Sequence, residues 1–303
     1  MKASVGETIS LLLKIIYFYF ESFYRLIVPP ARQDVRGKKV LITGAGHGIG
    51  RELSLEFARL GASLILWDIN KENNEDTADE VRRVGAIVHS YVCDVTGTAV
   101  STETVHNIAD RVRREVGNVD NAVNNAGILY GGPVLTMQEK HIRRTLEVNT
   151  LAHFWTVRRF LPPMLEANKG VIMNIATASA KSGTAFLVIY RPSKYAVFGF
   201  TEALREEIDR LGKPGVQATV VCPFFVDTGL CKGPGSRLSP ILTPKETAVT
   251  AMDGMLRGEQ EVYVPRRIWL QRWIGALLPE KVITHLKKFQ QLGIDPQYNS
   301  KSD

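Results

Sequence analysis

The chain has 303 residues, 45% of them hydrophobic and 23% charged, which suits one large folded domain with appendages rather than a disordered or repetitive protein. Its net charge of +7 lies wholly at the ends: residues 1–40 hold seven Lys/Arg against three Asp/Glu, residues 255–303 eight against five, and the stretch between them 23 against 23. Basic residues that border apolar helical segments fit a membrane surface and argue against nucleic acid, while three cysteines (Cys93, Cys222 and Cys231) make neither a disulfide framework nor a metal site. With no Asn-x-Ser/Thr sequon, a reducing, cytosol-facing environment fits best.

Residues 9–28 form an apolar, aromatic run that would make a helix of about 30 Å, enough to reach through a bilayer core. Lys14 and Glu21 interrupt it, and either charge near the bilayer centre costs about 2.5–3.5 kcal/mol, so a tilted, half-inserted or hairpin-like anchor competes with a clean span. No small-x-small site follows to suggest a cleaved leader. A buried core helix is the other alternative, against which stand the aromatic density and the Pro29-Pro30 break. Arg25, Arg32, Arg36, Lys38 and Lys39 place the remainder on the cytosolic side by the positive-inside rule. The chain therefore divides into an anchor with a basic linker (1–37), a main domain (38–265) and a C-terminal amphipathic segment with its tail (266–303).

From Lys38 onward short β-rich runs alternate with helical patterns, the order of a doubly wound α/β fold with a seven-stranded parallel sheet, a Rossmann fold. The expected strands are 40–43, 63–67, 87–92, 119–124, 171–176, 217–221 and 261–264. Helices are expected at about 48–60, 73–84, 99–116, 138–166, 192–211 and 244–258.

After the first strand comes Thr43-Gly44-Ala45-Gly46-His47-Gly48-Ile49-Gly50, leading into a helix. Glycines in such a loop let a pyrophosphate approach the helix N-terminus, where free amides and the dipole favour anions. An ordinary tight turn is the alternative, and the strand-loop-helix context weighs against it. Asp68 ends the second strand, where a carboxylate accepts hydrogen bonds from the adenosine ribose and repels a 2′-phosphate, which favours NAD(H) over NADP(H). Lys71 and His47 lie near enough to soften that preference. Asp94 ends the third strand, either at the adenine edge or as a turn or cap aspartate.

Tyr190 and Lys194 stand four apart at the start of a helical pattern, and hence on one helix face. A phenol of ordinary pKa, about 10, is a poor base at neutral pH; a neighbouring ammonium lowers that value, and a shift of about three units takes about 4 kcal/mol.

With these residues assembled, the chain resembles the short-chain dehydrogenase/reductase family over roughly residues 38–265. The matching segments are Thr43 to Gly50, Asp94, Asn124-Asn125-Ala126-Gly127, Asn149 in Glu147-Val148-Asn149, Tyr190-x-x-x-Lys194 and Cys222-Pro-Phe-Phe-Val-Asp-Thr228. The loop Gly44 to Arg51, the strand end Leu66 to Asn70 and the N-terminal apolar run look like the membrane-bound branch, which includes lipid-droplet 17β-hydroxysteroid dehydrogenases and epidermal-type retinol dehydrogenases. The resemblance implies that Tyr190 exchanges a proton with the substrate oxygen, that Lys194 tunes Tyr190 and holds the nicotinamide ribose, and that Asn149 bends its helix and holds a water. It implies further that Asn125, Ala126 and Gly127 pack near the adenosine ribose, that Val226 and Thr228 grip the carboxamide, and that the protein is a homodimer through the helices carrying Asn149 and Lys194.

The family's serine, thirteen residues before the tyrosine, is Thr177 here, with Ser179 as a reserve; threonine keeps the hydroxyl but adds a methyl beside the substrate. Pro192 suits a first helical turn, whereas Arg191 either lies on the surface or sits close enough to alter Tyr190. A Gly/Pro-rich loop at 229–240, with Phe186, Leu187, Val188, Phe224 and Phe225, offers apolar walls for a retinoid, steroid or fatty alcohol. Beyond residue 266 two segments with Trp269 and Trp273 and several Lys/Arg read as membrane-surface helices, or else as dimer or core packing. The sequence thus points to a membrane-associated NAD-dependent oxidoreductase at the endoplasmic reticulum or lipid droplet. The rival readings are a low-turnover cofactor-binding scaffold and a nucleotide-binding regulator of soluble partners.

Overall fold

A computed structural model describes residues 4–97, 104–178, 184–231, 233, 235, 237, 240–290 and 294. Seven parallel strands make one sheet, β1 (Lys39–Thr43), β2 (Ser63–Asp68), β3 (Val88–Val92), β4 (Asn121–Asn124), β5 (Gly170–Ile175), β6 (Val216–Pro223) and β7 (Glu261–Val264), in the spatial order 3-2-1-4-5-6-7. The expected doubly wound sheet is present, and every expected strand falls within one or two residues of its observed place.

Strand residues alternate between two cores. Val40 and Ile42 of β1 face one layer, formed with α2 (Gly48–Arg59), α3 (Lys71–Arg83) and α8 (Pro244–Leu256); Leu41 faces the other, formed with α4 (Val105–Glu115), α6 (Ala152–Ala167) and α7 (Tyr190–Arg210). Period-two side chains on a sheet covered on both faces give strands that are apolar throughout. A buried polar chain crosses the second layer under the C-terminal end of the sheet. Thr156 Oγ1 donates to Asn124 Oδ1 (2.6 Å), Asn124 Nδ2 to Asn174 Oδ1 (2.8 Å) and Asn174 Nδ2 to Thr201 Oγ1 (2.9 Å), which ties α6, β4, β5 and α7 in one register.

Helix boundaries differ from expectation where capping decides them. Helix α3 begins two residues early because the Asn70 side chain accepts from the Asn73 amide at 2.9 Å. The single helix expected over 138–166 is divided into α5 (Glu139–Leu146), a π turn (Glu147–Leu151) and α6. Helix α7 starts at Tyr190 itself, so Pro192 falls in the first turn, where its missing amide costs nothing.

The N-terminal helix α1 (Val5–Ile27) opens with a capping box: Glu7 N donates to Ser4 Oγ (3.2 Å) and Ser4 N to Glu7 Oε2 (2.6 Å). It ends just before Pro29-Pro30, and its apolar side chains are exposed, Phe20 at 72% and Ile27 at 69%. Among the described residues no helix is long and apolar enough to cross a membrane, which corrects the clean-span alternative. The physical reason is the charge pattern, since Lys14 and the Glu21–Arg25 pair (2.5 Å) repeat within the run. After β7 come α9 (Ile268–Leu277) and α10 (Glu280–Gln290), both helical as expected.

Candidate active site

Strand order reverses between β1 and β4, and a crevice opens there beyond the carboxyl ends of the strands. A cavity of about 240 Å³ occupies it, lined by Gly44, His47, Gly48, Ile49, Asp68, Asn125, Ala126, Gly127, Thr177, Tyr190, Lys194, Val226 and Thr228, all expected from sequence. Gly46, Gly50, Asp94 and Asn149 do not line it.

Gly44 has φ +64°, and a Cβ there would lie 2.9 Å from Ala126 Cα; a Cβ on Gly50 would lie 2.0 Å from Gly44 O. Neither position has room for a side chain, so the loop folds tightly against β4 and the N-terminus of α2 stays open to the cavity. Asn125 Nδ2 holds the turn by donating to Thr43 O (3.0 Å) and Gly44 O (3.1 Å). Thr43 Oγ1 accepts from the amides of Asn125 (3.0 Å) and Ala126 (3.1 Å), a fastening role that the loop pattern alone did not reveal. Asp68 Oδ2 accepts from Gly46 N (2.9 Å) and Oδ1 from Asn70 N (2.9 Å), so Gly46 acts by positioning that carboxylate from outside the cavity. Each oxygen keeps a further lone pair for a diol. A glycine cradle, an open helix N-terminus and a carboxylate at the end of β2 fit a nicotinamide dinucleotide.

Asp94 is placed differently from the adenine-edge expectation. Its carboxylate pairs with Arg144 (3.1 Å) and accepts from Thr96 N (3.0 Å), the turn-aspartate alternative. Burial raises its pKa, but these hydrogen bonds outweigh burial and hold it below its ordinary value.

Asn149 lies in the π turn and is fully buried. Its Nδ2 donates to Ile128 O (2.9 Å) and to Ser193 Oγ (3.1 Å), and Ser193 Oγ donates to Tyr190 O (2.6 Å). The π turn therefore falls at Asn149, whose side chain grips the first turn of α7. Ser193 is a second positioning residue the sequence did not single out; its place between Tyr190 and Lys194 was the available signal.

Lys194 is buried, its Nζ donating to Ile175 O at 2.8 Å, and a Cβ built on Gly127 would lie 3.3 Å from Nζ and 3.5 Å from Asn149 Oδ1. Burial pushes its pKa down to about 8. Tyr190 moves the other way: burial first, then the neighbouring Cys231, raises the phenol above its ordinary value. Desolvation favours the neutral form of each group, which opposes the lowering expected from Lys194. His153, one turn beyond Asn149, is also held neutral, by burial and then by the Lys194 charge. Its helical spacing had given no sign of that.

Thr177 is 8% exposed, and its Oγ1 donates to Pro223 O at 3.3 Å. Ser179, the reserve, lies outside the described residues. Leu187, Phe224 and Phe225 supply apolar wall, joined by Leu129, Leu230 and Cys231. Phe186 and Val188 do not line the cavity; Phe186 takes a left-handed backbone (φ 64°) and its carbonyl accepts from Gly132 N at 2.8 Å. Arg191 is buried, and burial lowers its pKa.

The short chain dehydrogenase family matches residues 38–236. The chain is 44% identical over 254 residues to the 17-beta-hydroxysteroid dehydrogenase 13 of Mus musculus, covering 84% of this chain and 82% of that one. It is 41% identical over 281 residues to the estradiol 17-beta-dehydrogenase 11 of Mus musculus, covering 93% of each. Among solved structures, a short chain dehydrogenase/reductase from Burkholderia phymatum in complex with NAD superposes with a TM-score of 0.70 at 27% identity, covering 78% of this chain and 92% of that one. An alcohol dehydrogenase from Thermococcus sibiricus complexed with 5-hydroxy-NADP gives a TM-score of 0.64 at 25% identity, covering 75% and 95%. A doubly wound sheet whose glycine loop, Tyr190 and Lys194 share one crevice, together with these likenesses, makes the chain a member of the short-chain dehydrogenase/reductase family and an oxidoreductase.

Proposed function

We propose that the protein is a membrane-associated, NAD-dependent enzyme that interconverts a lipophilic alcohol (a retinoid, steroid or fatty alcohol) and its ketone or aldehyde. The observation that carries this reading is the single cavity in which the glycine loop, Tyr190, Lys194 and the walls of Leu187, Phe224 and Phe225 meet. The nicotinamide, when bound, supplies or accepts the hydride. Tyr190 exchanges a proton with the substrate oxygen. Thr177 hydrogen-bonds that oxygen, and Lys194 turns from Ile175 O to the ribose and to Tyr190. Asn149 keeps α7 in place beneath them. Val226 and Thr228 orient the carboxamide; His47, Ile49 and the backbone of 44–50 receive the pyrophosphate.

NAD over NADP is supported by Asp68, whose carboxylate would repel a 2′-phosphate. A lipophilic substrate is supported by the apolar walls and by relatives named for steroid dehydrogenation. The exposed apolar faces of α1, α9 and α10 support residues 1–37 and 266–303 as lipid-facing segments around a 38–265 catalytic domain. That domain faces the cytosol from the endoplasmic reticulum membrane or a lipid droplet. Exposed Leu151, Phe154 and Tyr195 on α6, α7 and the π turn support a homodimer there.

The test is purified protein with NAD⁺ and a panel of retinol, estradiol and long-chain alcohols, following NADH. Turnover that falls by at least about 10²-fold in Tyr190→Phe is expected; no NADH with any of them sinks the reading. The scaffold reading rests on Arg191 and on Thr177, whose hydroxyl is already directed to Pro223 O. Dinucleotide binding without turnover, rescued by Thr177→Ser, would favour it.

A further inference from the structure

Three arginines converge on Asp253 of α8: Arg257 one helical turn on, Arg266 thirteen residues on, and Arg32 from 221 residues before it. Arg32 Nε lies 2.6 Å and Arg257 Nε 2.8 Å from Oδ1, and Arg266 Nη2 lies 3.3 Å from Oδ2. Further hydrogen bonds lock the first of these segments: Arg257 Nη1 donates to Pro30 O (2.6 Å), and Gln33 N donates to Leu256 O (2.7 Å). Burial raises the Asp253 pKa, but the arginine hydrogen bonds outweigh burial and keep it below its ordinary value.

Arg32 follows the end of α1 by five residues, and Arg266 precedes α9 by two. Extended chain reaches at most about 18 Å over five residues and about 7 Å over two, so α1 and α9 leave the body from one corner. Among the described residues both carry exposed apolar side chains. Trp269, Trp273 and Leu277 of α9 are 48%, 57% and 87% exposed, and Leu286 and Phe289 of α10 are 43% and 59% exposed. Lys281, Lys287 and Lys288 accompany them, a charge complement to anionic headgroups beside interfacial tryptophans.

We infer that α1 and α9–α10 engage one lipid surface as a two-legged unit, with Asp253 as the fastener that holds the legs at a common corner. The inference rests on the membrane reading above and adds to it a residue and a mechanism. Two weak attachments held in register bind more tightly than either alone, through the effective concentration of the second leg once the first is down. Loosening Arg32 from the corner lets α1 wander and forfeits part of that gain. The surface also connects to the cavity, because Arg237, in the loop that carries Leu230 and Cys231, donates its amide to Gln290 O at the end of α10 (2.9 Å).

The experiment is flotation of the full chain with phosphatidylcholine vesicles, with and without phosphatidylserine, for wild type, Asp253→Asn and Arg32→Gln. NADH binding serves as the folding control. Trypsin cleavage of the 28–38 linker without lipid reads the fastener separately. Both variants should lose about tenfold in vesicle partition with NADH binding unchanged, and Asp253→Asn should be cut faster. Wild-type partition in Asp253→Asn, whether or not the linker is cut faster, overturns the inference. A wild type that does not float but self-associates overturns the membrane reading itself, since the apolar faces then meet a second copy.

Discussion

Asn149 and Ile128 pair as two strands would: Ile128 N donates to Asn149 Oδ1 at 2.8 Å, and Asn149 Nδ2 returns to Ile128 O at 2.9 Å. The side chain thereby closes the backbone of the segment that follows β4 and holds it beside the π turn. Replacing it by leucine leaves a donor and an acceptor without partners, each costing about 1–3 kcal/mol. Asn149→Leu should therefore unfold in urea with a loss of at least about 2 kcal/mol. Unchanged stability would contradict the pairing.

Lys194 gives a pH signature. Its pKa falls from 10.5 to about 8 on burial, so the folded chain sheds the proton earlier than the unfolded chain does. The unfolded state binds more protons between about pH 8 and 10.5, and stability from this group rises with pH across that window; below about pH 8 the full cost of the buried charge is present. Lys194→Met removes that cost at pH 7, a gain of at most about 3 kcal/mol. The lost hydrogen bond to Ile175 O offsets about 1 kcal/mol of it. Melts at pH 7 and pH 10 check this: the advantage of the variant should shrink at the higher pH, while turnover is lost at both.

Position 177 separates hydroxyl from methyl. Thr177→Val keeps the shape and deletes the donor, so kcat should fall by about 10²-fold, in line with loss of one polarising hydrogen bond. Thr177→Ser keeps the donor and frees its rotamer, and should match or exceed wild type. Equal rates for valine and threonine would remove Thr177 from the chemistry and turn attention to Ser179.

Asp68 does two jobs at once, accepting from Gly46 N and facing the cavity. In Asp68→Ala the preference for NAD⁺ over NADP⁺, measured as the ratio of kcat/KM values, should fall by at least about tenfold, equivalent to about 1.4 kcal/mol. An unchanged ratio would place cofactor choice elsewhere, with Lys71 and His47 the next residues to change.

Much of this was legible in the order of residues. Apolar runs of four to six separated by helical patterns dictated the parallel sheet, and the Thr43 to Gly50 loop declared its geometry because glycine alone tolerates the approaches of Gly44 to Ala126 and Gly50 to Gly44 O. Tyr190 and Lys194 were legible for a similar reason: four residues on a helix is a local distance. Features set by partners far apart in the chain were not. Asp94 turned to Arg144, fifty residues on; Thr43 fastens Asn125 and Ala126, some eighty residues away; Asp253 gathers Arg32 from 221 residues before it.

The Tyr190–Lys194 pair shows where the division falls. Sequence placed both groups on one helix face, because helical periodicity is a property of the chain itself. Only the folded protein decided how readily each titrates, since burial raises the phenol and lowers the ammonium. Burial depends on what packs around a residue, and that is set by the tertiary structure.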